Sequence, residues 1–170
     1  MEKKDIYEKY KSASLIPFSL KITEENKKKV LTNIPNFTTI IRYSKSNIDK
    51  RASGLAIRTG TLYKKSGYYI VGIDIDNKPD DEYMKNGLTK WSELMNINNF
   101  PTLTSINTPI QKTGNNGYHY LFLVNEEQLK IIGASLTGLY IDGIKYTIDI
   151  KATNQFLLCE PSRYKNKYYE

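Results

Sequence analysis

The sequence predicts an α+β domain with a mostly antiparallel sheet and helices on one side. Three observations predict it. Residues 68–76, "YYIVGIDID", and 118–124, "YHYLFLV", are apolar on both faces, as buried central strands are. A compact helix signal, "NEEQLKIIG", follows the second run. Two short strand-like segments, "KYTIDI" and "QFLLC", then close the chain around the turn "KATN".

The elements follow in order. Residues 1–34 mix charge with short apolar patches, and "TEENKKKVLTNI" reads as a helix opened by Thr23. "FTTIIRY", 37–43, is β-branched and strand-like, and "SKSNIDKRASG" is a polar connector. "DNKPDD" ends the strong strand at 68–76. Leu88, Trp91, Leu94 and Met95 then recur at helical spacing within 81–95, with Asp80 as the expected cap and Gly87 as a weak point. A loop rich in Asn, Thr and Pro covers roughly 96–112. In the next helix Asn125 caps, Gln128 sits three residues later and Gly133 stops the run. "KYTIDI" and "QFLLC" are expected to pair as a hairpin.

Length and composition narrow the function. The 170 residues suffice for one domain with a core. The single cysteine, Cys159, rules out a disulfide framework and a cysteine-rich zinc site, and fits a reducing compartment. No apolar run approaches the ~20 residues that cross a bilayer, and the charged N-terminus has no signal-peptide core. An intracellular protein with no membrane partner is expected. Lys and Arg number 25 against 18 Asp and Glu, a net charge of +7. Such a surplus suits a polyanion, nucleic acid first, or simply a solvated lysine-rich surface. The 14 tyrosines include groups able to stack on bases.

Within this basic chain three segments carry chemistry. Asp74 and Asp76 share one face of a strand end, while Ile73 and Ile75 take the other. Two carboxylates so placed repel, and a divalent cation of the Mg²⁺ or Mn²⁺ kind relieves the repulsion. Alone, such a pair is equally a turn former or a cap. In "YTIDIKA" the same alternation groups Thr147, Asp149 and Lys151. Asp149 is either paired with a lysine or the third carboxylate of a metal site. Three carboxylates at strand level suit a two-metal centre for phosphoryl or nucleotidyl transfer. "QKTGNNGYHYLF" carries the only histidine, His119, behind a glycine loop whose backbone can approach a phosphate. His119 is otherwise a structural histidine bonded to backbone.

The order of these segments resembles the archaeo-eukaryotic primase superfamily, most closely the primase-polymerase (prim-pol) branch of large DNA viruses and mobile elements. The resemblance rests on D-x-D ending a strand, a glycine turn into a strand opening G-x-H, and a strand with hydrophobic-Asp-hydrophobic-Lys. "GLAIRTG" at 54–60 and "IDIKATNQFLLCEPSRY" at 148–164 support it. It covers roughly 54–164.

The resemblance implies an RRM-like palm over 54–164, preceded by a small N-terminal α/β subdomain at 1–53, in a single catalytic domain spanning 1–170. It implies template-directed nucleotidyl transfer, as DNA primase, DNA polymerase or both. Asp74, Asp76 and Asp149 would hold two Mg²⁺ or Mn²⁺ ions, and His119 would contact the phosphates of an incoming NTP or dNTP. The family often has Ser two residues before this histidine, where this chain has Gly117. Arg58, Lys112, Lys151 and Arg163 are assigned to phosphate or template contacts by their charge near the motifs. Single-stranded DNA is the implied template. A fused or associated helicase is the implied further partner, with the chain as one domain of a longer primase-helicase. Two other readings of the same residues are a metal-dependent nuclease and a non-catalytic single-strand-binding module.

Overall fold

The computed structural model describes residues 3–25, 28–33, 37–40, 44, 47–49 and 51–170. Helix α1 (Lys3–Ser12) leads into β1 (Pro17–Glu25) and β2 (Lys28–Asn33). A 3-10 turn (Phe37–Thr39) comes before β3 (Gly54–Arg58) and β4 (Tyr69–Ile75). Then follow α2 (Gly87–Ile97), β5 (Ile110–Lys112), β6 (Tyr118–Val124) and α3 (Glu126–Ile132). The short strands β7 (Ser135–Leu136), β8 (Tyr140–Ile141) and β9 (Ile144–Lys145) lead to β10 (Ile148–Lys151) and β11 (Phe156–Cys159). A last pair, β12 (Arg163–Tyr164) and β13 (Lys167–Tyr168), closes the order. The fold is mixed α/β with few helices, and its named strands pair antiparallel.

Two sheets carry the structure. One has the order β11-β3-β1-β2 and the other β5-β6-β4-β10-β7. The second sheet places β4 at its centre, as its two-sided apolar run predicts. Its outer face carries Ile75, Tyr120 and Ile148, against which Leu88 and Trp91 of α2 pack. The aromatic environment buries Tyr120 completely, and burial pushes its phenol pKa up to about 12. In the first sheet, Leu55, Ile57 and Cys159 pack with Ile6 and Tyr7 of α1 and with Leu121 of β6. The helices therefore serve different sheets rather than one side of one sheet.

Several local signals act as the sequence predicts. Asn125 and Gln128 form the reciprocal capping box of α3, and Gly133 ends it at φ 73°. Other expectations are corrected. Within "TEENKKKVLTNI", residues 23–25 end β1 and Lys28–Asn33 form its antiparallel partner β2 rather than a helix, because Phe18, Leu20 and Ile22 alternate into the core of the first sheet and commit β1 to strand; residues 26, 27 and 34 lie outside the described residues. Phe37–Thr39 is a 3-10 turn rather than strand, and residues 41–43 of that expectation lie outside the described residues, as do 45, 46 and 50 of the connector. Helix α2 starts later than expected. Asn86 caps it, while Asp80 Oδ1 accepts from the Asn86 N–H at 2.8 Å. Gly87 is no weak point there: a Cβ would meet the Thr147 carbonyl oxygen at 2.3 Å, so glycine lets the helix start sit on the sheet.

The largest correction concerns the end of the chain. β10 and β11 do not form a hairpin. β10 pairs with β4 and β7, whereas β11 pairs with β3. The turn between them, with Asn154 at φ 56°, carries the chain from one sheet to the other. β11 is thereby laid against β4, where Gly72 leaves room for Leu157; a Cβ there would meet Leu157 Cδ1 at 2.3 Å. Strands β1 and β2, from the segment 1–53, complete the sheet that β11 edges.

Candidate functional site

Strand register builds the site. Asp149 on β10 pairs with Asp74 on β4, and Asp74 pairs with His119 on β6. Gln111 on β5 extends the row beyond His119. Directly opposed residues share a face, so four polar side chains form a line across four strands, on the face opposite α2. Carboxylates directly opposite lie about 5 Å apart at Cβ, close enough to repel.

His119 is 6% exposed and held from both sides. Its Nδ1 lies 2.8 Å from the Leu158 carbonyl oxygen of β11, and its Nε2 lies 3.2 Å from Asp74 Oδ1. Both partners accept, so both contacts are hydrogen bonds only while the ring carries both protons. Burial opposes the Asp74 charge. The His119 hydrogen bond outweighs it, with help from the charges of His119, Lys151 and Lys29, and the Asp74 pKa falls below its ordinary value.

The other two aspartates are engaged by lysines. Asp149 Oδ2 pairs with Lys151 Nζ at 2.7 Å, and its Oδ1 accepts from the Gly138 N–H at 2.8 Å. Asp76 lies just past β4, tied to Thr147 by the Asp76 N–H donating to the Thr147 carbonyl at 3.0 Å. Its carboxylate pairs with Lys78. Partial burial works against the Lys78 charge, but the Asp76 bond and the charges of Asp76, Asp74 and Asp149 outweigh it, raising its pKa. The three aspartates therefore all act on one ammonium. Among the described residues, no three His, Cys, Asp or Glu side chains are gathered as ligands around one point.

A cleft of about 170 Å³ opens over Asp74 and His119 of this row, between the two sheets. Asp74, His119 and Lys151 line one wall. Lys29 and Leu31 of β2, Phe156–Leu158 of β11 and Tyr169 line the other. Lys29 Nζ donates to the Tyr169 hydroxyl at 3.0 Å, and the Tyr169 ring lies 5.6 Å from the His119 ring.

Of the basic residues singled out in the sequence, only Lys151 reaches this cleft. Arg58 is 7% exposed and turned inward, bonded to the Ile40 carbonyl and, at 3.1 Å, to Asn154 Oδ1; burial lowers its pKa. Lys112 pairs with Tyr118 and so lies on the opposite face from His119. Arg163 is exposed on β12 and lies outside the cleft lining. The glycine loop before His119 is also engaged. Thr113 Oγ1 accepts from the Gly117 N–H at 3.1 Å, and Asn115 accepts from Lys167 at 2.8 Å. Gly117 is required by packing, since a Cβ would lie 2.2 Å from the Ile75 carbonyl oxygen.

Lys29 and Tyr169 are the cleft residues that sequence reading missed. The alternation of Phe18, Leu20 and Ile22 could have found Lys29, because a strand there demands a partner from the next segment. No local signal marks Tyr169. Comparison with protein-family models, curated proteins and solved structures finds no match for this chain. No helix among the described residues is long and apolar enough to cross a membrane.

Proposed function

We propose that this domain is a template-directed nucleotidyltransferase of the prim-pol kind, a DNA primase or DNA polymerase. One observation carries the reading: the in-register row Asp149–Asp74–His119 on three adjacent strands, with Asp74 and His119 lining a cleft that Lys29 and Lys151 also line. Residues 75 positions apart in the chain meet there as direct partners. An RRM-like palm is supported by the chain order β4-α2-β5-β6-α3-β10 and the strand order β5-β6-β4-β10, a split β-α-β arrangement with the polar row on its two central strands and one neighbour.

Carboxylate oxygens are the donors that hard divalent cations prefer. Asp74 and Asp149 offer carboxylate oxygens from adjacent strands, and Asp76 and both of these already act on the Lys78 ammonium. These three are the residues that would hold Mg²⁺ or Mn²⁺. Bound there, the ions supply activation of an attacking hydroxyl and neutralisation of the leaving pyrophosphate. His119 supplies a different service. The Leu158 carbonyl fixes its ring, so Nε2 stays aimed at Asp74 in the cleft wall, where a phosphate oxygen can replace the carboxylate as its acceptor. The net charge of +7 favours a single-stranded DNA template and an NTP or dNTP.

Primer synthesis and primer extension on single-stranded DNA with Mn²⁺ or Mg²⁺ test this. Nucleotide incorporation is expected. Cleavage of the strand without nucleotides would favour a nuclease instead. Strand binding unaffected by changes at Asp74 and Asp149, with no incorporation, would favour a binding module.

A further inference from the structure

We propose that Lys29 and Tyr169 form a polyphosphate hook, which binds the triphosphate of the incoming nucleotide opposite Lys151. This inference rests on the nucleotidyl-transfer reading for the identity of the ligand and on geometry alone for the site.

The two lysines of the cleft are not equivalent. Lys151 is neutralised by Asp149 at 2.7 Å. Lys29 has no carboxylate within ion-pair distance among the described residues, and its one polar partner is the neutral Tyr169 hydroxyl. A phenol oxygen that accepts from an ammonium keeps its own proton to donate, and the ammonium keeps two more. Lys29 and Tyr169 together thus present several donors, and an ammonium held in no ion pair among the described residues, to the same cleft that His119 and Asp74 line.

Tyr169 is fixed from its backbone. Its N–H donates to the Ser162 carbonyl at 3.1 Å, and the next residue, Glu170, exchanges bonds of 2.6 and 3.1 Å with Lys112. Its ring is 7% exposed in the core cluster of Phe18 and Leu158. The hydroxyl therefore needs no reordering to bind. Size selects the ligand class. The cleft holds about 170 Å³, below the roughly 300 Å³ at which pockets for whole small molecules begin. It suits a phosphate chain whose nucleoside extends outside.

The test uses inorganic tripolyphosphate in the presence of a chelator, so that no metal contributes, with affinity read by calorimetry. Wild-type protein is expected to bind. Lys29→Gln is expected to weaken binding at least about tenfold, the worth of one charge-assisted hydrogen bond. Tyr169→Phe keeps the ring in the core and is expected to weaken binding several-fold. In primer extension, Lys29→Gln is expected to raise KM for the nucleotide while kcat holds. Tripolyphosphate bound through Lys29 by a protein that incorporates no nucleotide would leave the hook standing and remove the nucleotidyl-transfer reading. Normal extension with KM and tripolyphosphate affinity unchanged in Lys29→Gln would overturn the hook and leave the reading intact.

Discussion

Asp74 and His119 stand opposite each other on β4 and β6, with Oδ1 3.2 Å from Nε2. The pair ties the carboxylate row of the second sheet to β11 of the first, because the other ring nitrogen is held by the Leu158 carbonyl. A single imidazole thus spans the boundary between the sheets.

The Asp74 charge makes acid stability depend on this pair. Its folded pKa is lowered, so its contribution is present above the unfolded value of about 3.9 and is lost as pH falls through the folded value. Unfolding by urea is expected to show this contribution declining as pH falls below about 4. Asp74→Asn is expected to fall less steeply along that acid limb. Equal slopes for the two proteins would count against the pairing.

Asp149→Asn separates fold from activity. The amide oxygen of Asn can still accept from the Gly138 N–H, so the folded state is expected to persist. In the proposed reaction, nucleotide addition falls on the order of 10³-fold, the scale of a metal's contribution to catalysis. Strand binding holds or tightens slightly as a negative charge is removed. Wild-type extension by this variant would sink the proposed role of the row.

Gly117→Ser tests whether the position answers to packing. The added Cβ would lie 2.2 Å from the backbone oxygen of Ile75, and backbone does not yield as a flexible side chain does. A loss of about 1–3 kcal/mol is expected. Each kcal/mol lowers the melting temperature by about 2–4 °C in a domain of this size. An unchanged melting temperature would show that β4 and the turn can separate cheaply.

Lys78→Met removes the cation on which three aspartates act. Lower thermal stability at low ionic strength is expected, with the difference from wild type shrinking as salt screens the partly exposed ion pair of Lys78 and Asp76. Melting curves at low and high sodium chloride check it. A difference independent of salt would assign the effect to packing of the lysine stem instead.

Strand binding itself should be salt-sensitive. Affinity drawn from neutralised phosphates falls steeply as salt rises, so titration of single-stranded DNA at two salt concentrations is expected to give clearly different dissociation constants. Salt-independent binding would point to base stacking on exposed tyrosines such as Tyr83 and Tyr140.

The sequence by itself determined the parts whose causes are local. Apolar runs placed β4 and β6, and the side-chain oxygens of Asn125 and Gln128 with Gly133 placed α3. Strand parity alone put Asp149 with Lys151 on a common face of β10, while Asp76 falls just past the end of β4. Where local preference and long-range pairing disagreed, the sequence misled. Glu and Lys in "TEENKKKVLTNI" favour helix, but pairing β1 with both β2 and β3 satisfies its backbone while burying Phe18, Leu20 and Ile22. Only the tertiary structure decided which strands became neighbours. Nothing within "IDIKATNQFLL" says that its two strands part into different sheets, because a turn sets a direction and the partners set the pairing. That parting brings Tyr169 and Lys29 over His119 and holds Arg58 inward against Asn154, while the register of β5 on β6 leaves Lys112 on the far face. Charge near a motif in sequence could not foresee this, since a side chain reaches a site only from the face and the strand to which register assigns it.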